Sequence, residues 1–431
     1  MRGQRPGEGR ESGERSEPGP RPEPGRPGKR VGGSAGKRVA AAPGERAAGS
    51  LGKRVAEPLG QGAAEALGKT AATPRVKTTA APVAEATAAP LAKTTPLRAA
   101  LVLAGLALAL GAAVLAALVL GSVRIPAQEV LAALAPGAEP SPVRTIVREV
   151  RLPRVLLAVV VGAGLAVTGA VLQALVRNPL ADPFLLGISS GASAGAVLVL
   201  VLGVGGGITT TAAMPAAAFA GALLALVLVY GLARRGGTLT GARLVLAGVA
   251  VSYILSALTT LLLVLAARPE HFQDALYWTL GGLGSARWDT LLLPAVAVPV
   301  GTAVLMLLAR PLDLMALGEE GATVLGLDTH RFRGAVFVLA SLLTAVMVAV
   351  SGAVGFLGLM VPHAARLVVG AGHRALLPVA ALGGALGLVL ADLAARTVAA
   401  PQDIPVGVLT ALAGGPVLLW LMRRRPEGTP V

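Results

Sequence analysis

The sequence contains no cysteine and few aromatic or charged residues. Its 431 residues include 4 histidines, 3% aromatic residues and 14% charged residues. Without cysteine the chain cannot form a disulfide, a zinc–thiolate site, a thiolate-bound iron–sulfur cluster or a cysteine nucleophile. The histidines are scattered, with no Glu-x-x-His or His-x-x-x-His spacing, so no metal site is predicted. We also predict no catalytic residue and no cofactor bound by this chain.

What the sequence has instead is apolar residues in long runs. They make up 54% of the chain and raise its mean hydropathy to +0.71. Each run approaches the roughly 20 residues that cross a hydrocarbon core of about 30 Å. Runs this continuous predict helices, because the strands of a membrane barrel alternate in polarity and are about half as long. The sequence predicts an all-α polytopic membrane protein with ten spans, at residues 99–121, 152–175, 185–204, 212–233, 243–266, 288–309, 333–350, 355–370, 375–397 and 405–423.

Residues 1–97 differ from the rest of the chain. They are rich in Gly, Pro, Ala, Arg and Glu, and they hold every lysine, the last being Lys93. Such a segment cannot bury enough apolar surface to offset its ordering entropy. We predict a disordered low-complexity tail over residues 1–97 and a transmembrane domain over residues 98–425. The basic tail favours contact with anionic lipid over nucleic acid, because nothing in it could stack on bases. A misassigned start codon is a further interpretation of the tail.

The tail also bears on orientation and on ATP. An even number of spans after a basic tail predicts that both termini are cytoplasmic and that the protein lies in a bacterial cell membrane. Within the tail, Gly68-Lys69-Thr70 resembles the end of a phosphate-binding loop. That loop needs a glycine at the position of Ala63 and a preceding strand, and neither is present. Any hydrolysis of Mg-ATP must therefore come from a separate subunit.

Small residues recur at four-residue spacing on several spans. Gly187, Gly191 and Gly195 form one such series on the third span. Similar series lie on the second span (Gly162, Ala166, Ala170) and on the ninth span (Gly383, Gly387, Ala391). Lipid offers no hydrophobic drive between helices, so close approach through small residues must hold them together. These series predict internal packing seams, with a specific dimer contact as the alternative.

Hydroxyl groups line one face of the fifth span. Ser252, Ser256 and Thr260 lie at positions i, i+4 and i+8 of a helix. Polar groups inside a membrane are costly, and this favours a wall of a water-filled translocation path. The alternative is that the hydroxyls bond back to preceding carbonyls, as any membrane helix tolerates.

Three further polar segments lie near the ends of spans. Asp392 and Arg396 are four residues apart, which favours an ion pair, and presentation of Arg396 to a partner is the alternative. The acidic stretch at residues 317–327 is too short to cross lipid; it predicts short surface helices that dock a soluble partner, or else a plain connector. Residues 177–183 predict a tight polar turn between the second and third spans, because two prolines interrupt the helix.

Several motifs together resemble the FecCD-type permeases, which import iron–siderophores, haem and cobalamin. Near the second and third spans they are Arg151-Leu152-Pro153-Arg154, Gly169-Ala170-Val171-Leu172-Gln173, Arg177-Asn178-Pro179-Leu180-Ala181-Asp182-Pro183 and Leu186-Gly187-Ile188-Ser189-Ser190-Gly191-Ala192. Further along they are the acidic stretch, Gly355-Phe356-Leu357-Gly358-Leu359, Val361-Pro362-His363, Asp392 with Arg396, Ile404-Pro405-Val406-Gly407-Val408 and Gly414-Gly415-Pro416. The resemblance covers residues 99–425 and leaves out the tail.

The resemblance implies a complex and assigns roles within it. It implies a second permease subunit, identical or homologous, two cytoplasmic ATPase subunits that use Mg-ATP, and an outer binding protein that delivers an iron–siderophore or a related chelate. Arg151, Arg154 and Arg396 resemble the outer arginines that meet acidic residues of the binding protein. The acidic stretch resembles the coupling helices gripped by the ATPase, through Gly318, Glu319, Glu320, Gly321, Leu325 and Gly326.

Other classes of membrane protein remain as alternatives. Permeases for zinc and manganese lack the Arg-Asn-Pro-Leu-Ala turn. A secondary transporter driven by an ion gradient should carry acidic residues in mid-membrane, and here Asp392 lies near one end of its span beside an arginine. A structural or signalling membrane protein is disfavoured by the absence of a soluble sensor or catalytic domain. The identity of the chelate cannot be read from apolar path residues.

Overall fold

The computed structural model describes residues 95–137, 139–202, 210–234, 240–265 and 269–423. All of them belong to one compact unit, Pro82–Val431. The tail predicted for residues 1–97 lies outside the described residues as far as residue 94. Its last two residues begin the first helix, α1 (Pro96–Val119).

Within the described ranges, ten apolar helices occupy the positions of the ten predicted spans. Seven are long enough to cross a membrane and three are shorter. They are α1, α4 (Leu152–Val176), α5 (Ile188–Leu202), α6 (Thr210–Ala233), α7 (Gly241–Leu265), α9 (Trp288–Leu307), α12 (Thr329–Ser351), α13 (Leu357–Val369), α14 (His373–Thr397) and α15 (Val406–Arg423). Connecting helices are α2 (Ala127–Leu134), α3 (Pro142–Thr145), α8 (Pro269–Thr279), α10 (Ala309–Ala316) and α11 (Glu319–Val324). A π-helical segment (Ile146–Arg151) leads into α4, and a 3-10 turn (Pro183–Leu186) precedes α5.

Helix α4 is the centre of the bundle. It packs against α9, α12, α13 and α14, and most of its residues are buried. Glycines allow these close approaches, because a Cβ at Gly162 would overlap the carbonyl of Gly384, and one at Gly169 would overlap the carbonyl of Gly358. The seam predicted on the second span is therefore present at Gly162.

The seam on α14 differs in register from the prediction. The close contact with α4 is made by Gly384, whose Cβ would overlap the carbonyl of Gly162. A Cβ at the predicted Gly383 would lie 3.2 Å from Val361, and one at Gly387 would lie 3.9 Å from Leu357. The sequence alone could not choose between neighbouring glycines, because the crossing direction of the two helices decides which one is covered.

A second group consists of α5, α6 and α7. Gly191 and Gly195 of α5 lie against α6, where an added Cβ would overlap the carbonyls of Gly221 and Ala217 respectively. Gly187 does not belong to this seam. It ends the 3-10 turn before α5 with a left-handed φ of 76°, and it faces Gly248 and Ser252 of α7. Of the three glycines predicted to form a packing seam, Gly191 and Gly195 form it, and Gly187 belongs to the turn that precedes it.

Candidate coupling, path and outer sites

The acidic stretch contains one short helix, α11. Gly318 precedes it with φ 105° and Gly326 follows it with φ 86°, conformations that glycine adopts without a Cβ penalty. Leu317, Val324 and Leu325 are 63%, 87% and 59% exposed. An exposed apolar group beside two glutamates is a surface that a soluble partner could cover.

The two glutamates of α11 point to different surroundings. Glu319 contacts Arg333 at the start of α12, with 2.6 Å between Oε1 and the guanidinium, and the Arg333 side chain is only 2% exposed. Glu320 is exposed. Glu319 is therefore bound to the helix bundle, while Glu320 is free to meet another molecule.

Helix α10 attaches the same segment to α4 and α14. Its buried residues Ala309, Leu312 and Met315 form one face. Asp313 accepts hydrogen bonds from the backbone N–H of His373 at 2.9 Å and contacts its Nδ1 at 2.6 Å. Burial alone would raise the pKa of Asp313, but these hydrogen bonds, with the charges of His373 and Arg374, hold that pKa below its ordinary value.

The turn between α4 and α5 reaches the same region. Arg177 ends α4 with a left-handed φ of 54°, and its guanidinium lies 3.3 Å from the position of a Cβ at Gly318. The Asp182 side chain accepts a hydrogen bond from the N–H of Phe184 at 2.9 Å and so starts the 3-10 turn. Burial raises the pKa of Asp182 from 3.8 to about 6, against the opposing hydrogen bonds from the backbones of Phe184 and Phe356.

Asp182 borders a largely apolar cavity of about 720 Å³. Its walls come from the turn before α5, from the start of α13 and from α15. The lining includes Leu180, Phe184, Leu280, Phe356, Leu359, Val408 and Leu412. Such a space suits an apolar surface better than a small ion, because it offers one carboxyl group among apolar side chains.

The hydroxyl face of α7 shows features of both interpretations. Ser256 is exposed, and its Oγ lies 3.3 Å from the Oγ of Ser190 on α5. Thr260 is also exposed, but its hydroxyl donates back to the carbonyl of Ser256 at 3.0 Å. Ser252 faces Gly187. The role of these three residues in a path stays a prediction.

The three arginines that were predicted to be outer ones are brought together, but they face inward. Arg151, Arg154 and Arg396 are only 5%, 9% and 4% exposed. Asp392 lies between two of them, 2.8 Å from Arg154 and 3.1 Å from Arg396, so the predicted ion pair is present. In this arrangement the guanidinium groups are occupied within the chain. Docking of a binding protein on them stays a prediction, and it requires these groups to leave their present partners or to act from beneath the surface.

Two kinds of partner of this cluster, a carboxylate and backbone carbonyls, were missed in the sequence. Asp403, which is half-exposed before α15, contacts Arg154 at 2.7 Å. Arg151 donates to the carbonyls of Leu118 and Val119 at the end of α1, at 2.5 and 3.0 Å. Carbonyl acceptors leave no mark in a sequence, and Asp403 follows Arg154 by 249 residues, so no local spacing could have revealed either contact.

Residues 100–424 match the FecCD transport family. The chain is 46% identical over 286 residues to the cobalamin import system permease protein BtuC of Halobacterium salinarum, which covers 66% of this chain and 75% of that protein. It is 46% identical over 282 residues to the hemin transport system permease protein HmuU of Yersinia pestis, which covers 64% of this chain and 83% of that protein.

A solved structure has the same fold. It is described as an ABC transporter of the metal-chelate type in an inward-facing conformation, and it is 31% identical with a TM-score of 0.66. The alignment covers 76% of this chain and 100% of that one. The family match covers α1 from residue 100 onward, the nine other apolar helices and α11. The chain belongs to the FecCD transport family.

Proposed function

We propose that this chain carries a metal chelate across a bacterial cell membrane into the cytoplasm by alternating access, with cobalamin or haem as the first candidate cargo. As a FecCD member it is the permease subunit of a type II ABC importer, a transport subunit rather than an enzyme. Its partners in this proposal are a second permease subunit, two ATPase subunits and an outer substrate-binding protein. Both termini lie in the cytoplasm.

The observation that carries the proposal is helix α11. It lies between two spans, is bounded by glycines and combines exposed apolar residues with an exposed glutamate. A groove of about 640 Å³ runs beside it, lined by Glu319, Glu320, Thr323, Val324 and neighbouring residues. An ATPase that grips this helix could shift it on ATP binding, and the bundle would then rock to face the other side.

The cargo is inferred from the relatives and the cavity. The two relatives described above carry the names of cobalamin and hemin permeases, and both cargoes are metal macrocycles. The apolar cavity beside Asp182 suits the edge of such a ring. Iron–siderophores, the cargo expected from the sequence, are the second candidate. They stay a candidate because the sequence motifs resemble a permease family that also imports iron–siderophores.

Uptake by the reconstituted complex tests the proposal. We expect proteoliposomes with the permease, its ATPase and its binding protein to accumulate labelled cobalamin or haem only when ATP is present. The variant Glu319→Ala/Glu320→Ala should abolish this uptake at normal membrane levels. Preferred uptake of a ferric siderophore would reassign the cargo. Uptake that is indifferent to ATP and to the variant would contradict the importer assignment and favour a gradient-driven transporter.

A further inference from the structure

An ion pair and a carboxylate–imidazole contact join the region of α10 and α11 to two different spans. Glu319 contacts Arg333, the fifth residue of α12, at 2.6 Å. Asp313 contacts His373, the first residue of α14, at 2.6 Å. Both partners in the bundle are nearly covered, with side chains 2% and 3% exposed. Each pair therefore connects a half-exposed carboxylate on the surface helices to a covered cation or imidazole at the start of a span.

Apart from Glu319, helix α11 has little hold on the bundle. Ala322 is its one buried residue, and the apolar residues at its end point outward. Helix α10 is better packed, but the contact through Asp313 reaches the end of α14 directly. A charge pair in partly covered surroundings is stronger and less screened than one in water. These two contacts are thus the polar connections through which a displacement of α11 could reach α12 and α14.

We propose that Glu319 and Asp313 are positioning residues that transmit ATPase movement into the bundle, whereas Glu320 contacts the ATPase. The proposal rests on the proposed function of α11 and assigns different roles to its two glutamates. Pulling on α11 would move the start of α12 through Arg333, and pulling on α10 would move the start of α14 through His373. Loss of either carboxylate should leave the ATPase bound but its movement poorly transmitted.

Reconstituted complexes of the full chain with its ATPase and binding protein test this division. In complexes that retain the ATPase, we expect Glu319→Gln to lower the cargo imported per ATP hydrolysed about tenfold, the factor expected for the loss of a modest coupling free energy. Asp313→Asn should lower the same ratio. The swap Glu319→Arg/Arg333→Glu should restore part of it. In contrast, Glu320→Gln should weaken association of the ATPase and leave the ratio unchanged in complexes that form.

A nearby ion pair that does not involve α11 provides a matched control. Arg331 forms an exposed ion pair with Asp328 at 3.2 Å, and its side chain is 91% exposed. Arg331→Gln should leave cargo per ATP unchanged, because that pair does not join α11 to a span. The proposal is overturned if Glu319→Gln and Asp313→Asn keep the wild-type ratio, or if Glu319→Gln acts by dissociating the ATPase. A wild-type complex without ATP-dependent uptake would instead overturn the proposed function.

Discussion

At the scale of single residues, Asp182 is a carboxylic acid whose surroundings disfavour its charge. Its pKa of about 6 in the folded chain exceeds 3.8 because the group is buried. Between these two values the folded state binds more protons than the unfolded state, so stability falls as pH rises from about 4 to 6 and stays lower above it. The difference in pKa corresponds to about 3 kcal/mol as an order of magnitude.

We therefore expect Asp182→Asn to stabilise the purified protein at pH 7 and to remove this pH dependence. The amide oxygen can still accept the hydrogen bond from Phe184, so the start of the 3-10 turn is preserved. Thermal unfolding in detergent from pH 4 to pH 7 measures the effect. Asp289→Asn, at an exposed position, is the control and should change the melting temperature little at any of these pH values. Destabilisation by Asp182→Asn at neutral pH would show that the charge itself is needed.

At the scale of helices, the C-terminal end of α1 depends on two arginines. Only 17% of its apolar stretch is buried, yet its last carbonyls accept hydrogen bonds from Arg151 and, at 3.1 Å, from Arg396. A hydrogen bond to a charged group contributes about 1.5–3 kcal/mol. Arg151→Gln should therefore loosen this end of α1, seen as faster amide exchange around residues 120–125. Arg124→Gln, which changes an exposed arginine just after α1, should leave amide exchange unchanged. Equal exchange rates in the two variants would contradict a role of Arg151 in holding this end of α1.

The seam between α5 and α6 is a second prediction at this scale. A side chain at Gly191 would meet the carbonyl of Gly221 and the Cβ of Ala225, neither of which can move without shifting a helix. Overpacking of this kind costs about 1–3 kcal/mol or more. Gly191→Val should lower the melting temperature and the yield of folded protein. Gly231→Val on α6 is the matched control, because a Cβ at Gly231 meets no atom within 4 Å. Equal stability of the two variants would disprove the seam.

These elements also show where sequence reasoning succeeds and fails. The ten helices follow from apolar length, which the bilayer alone dictates. The pairing of Gly162 with Gly384 instead of Gly383 depends on how two helices cross, and that angle is set by the whole bundle. The three arginines that were expected to meet a binding protein face inward instead, because they bind Asp403 and the carbonyls of α1, which are distant in sequence.

At the scale of the whole molecule, the alternating access that we propose requires one face of the bundle to contact water during transport. The hydroxyl face of α7 is the predicted face, whereas Ile254, Leu258, Leu261 and Leu265 form an exposed apolar stripe on the same helix. The chain contains no cysteine, so an introduced one is the only thiol. A water-soluble thiol reagent can therefore report which face is wet.

We expect Ser256→Cys in the reconstituted complex to react with such a reagent at a rate that changes when ATP or cargo is added. Leu261→Cys should react slowly in every state, because its stripe suits lipid. Ser256 already lies near Ser190, and a conformational change that separates α5 from α7 would expose the thiol further. Reaction at equal rates in both variants, unaffected by ATP, would place the path elsewhere. The hydroxyl groups of α7 would then serve only to hydrogen-bond neighbouring carbonyls, as that of Thr260 does.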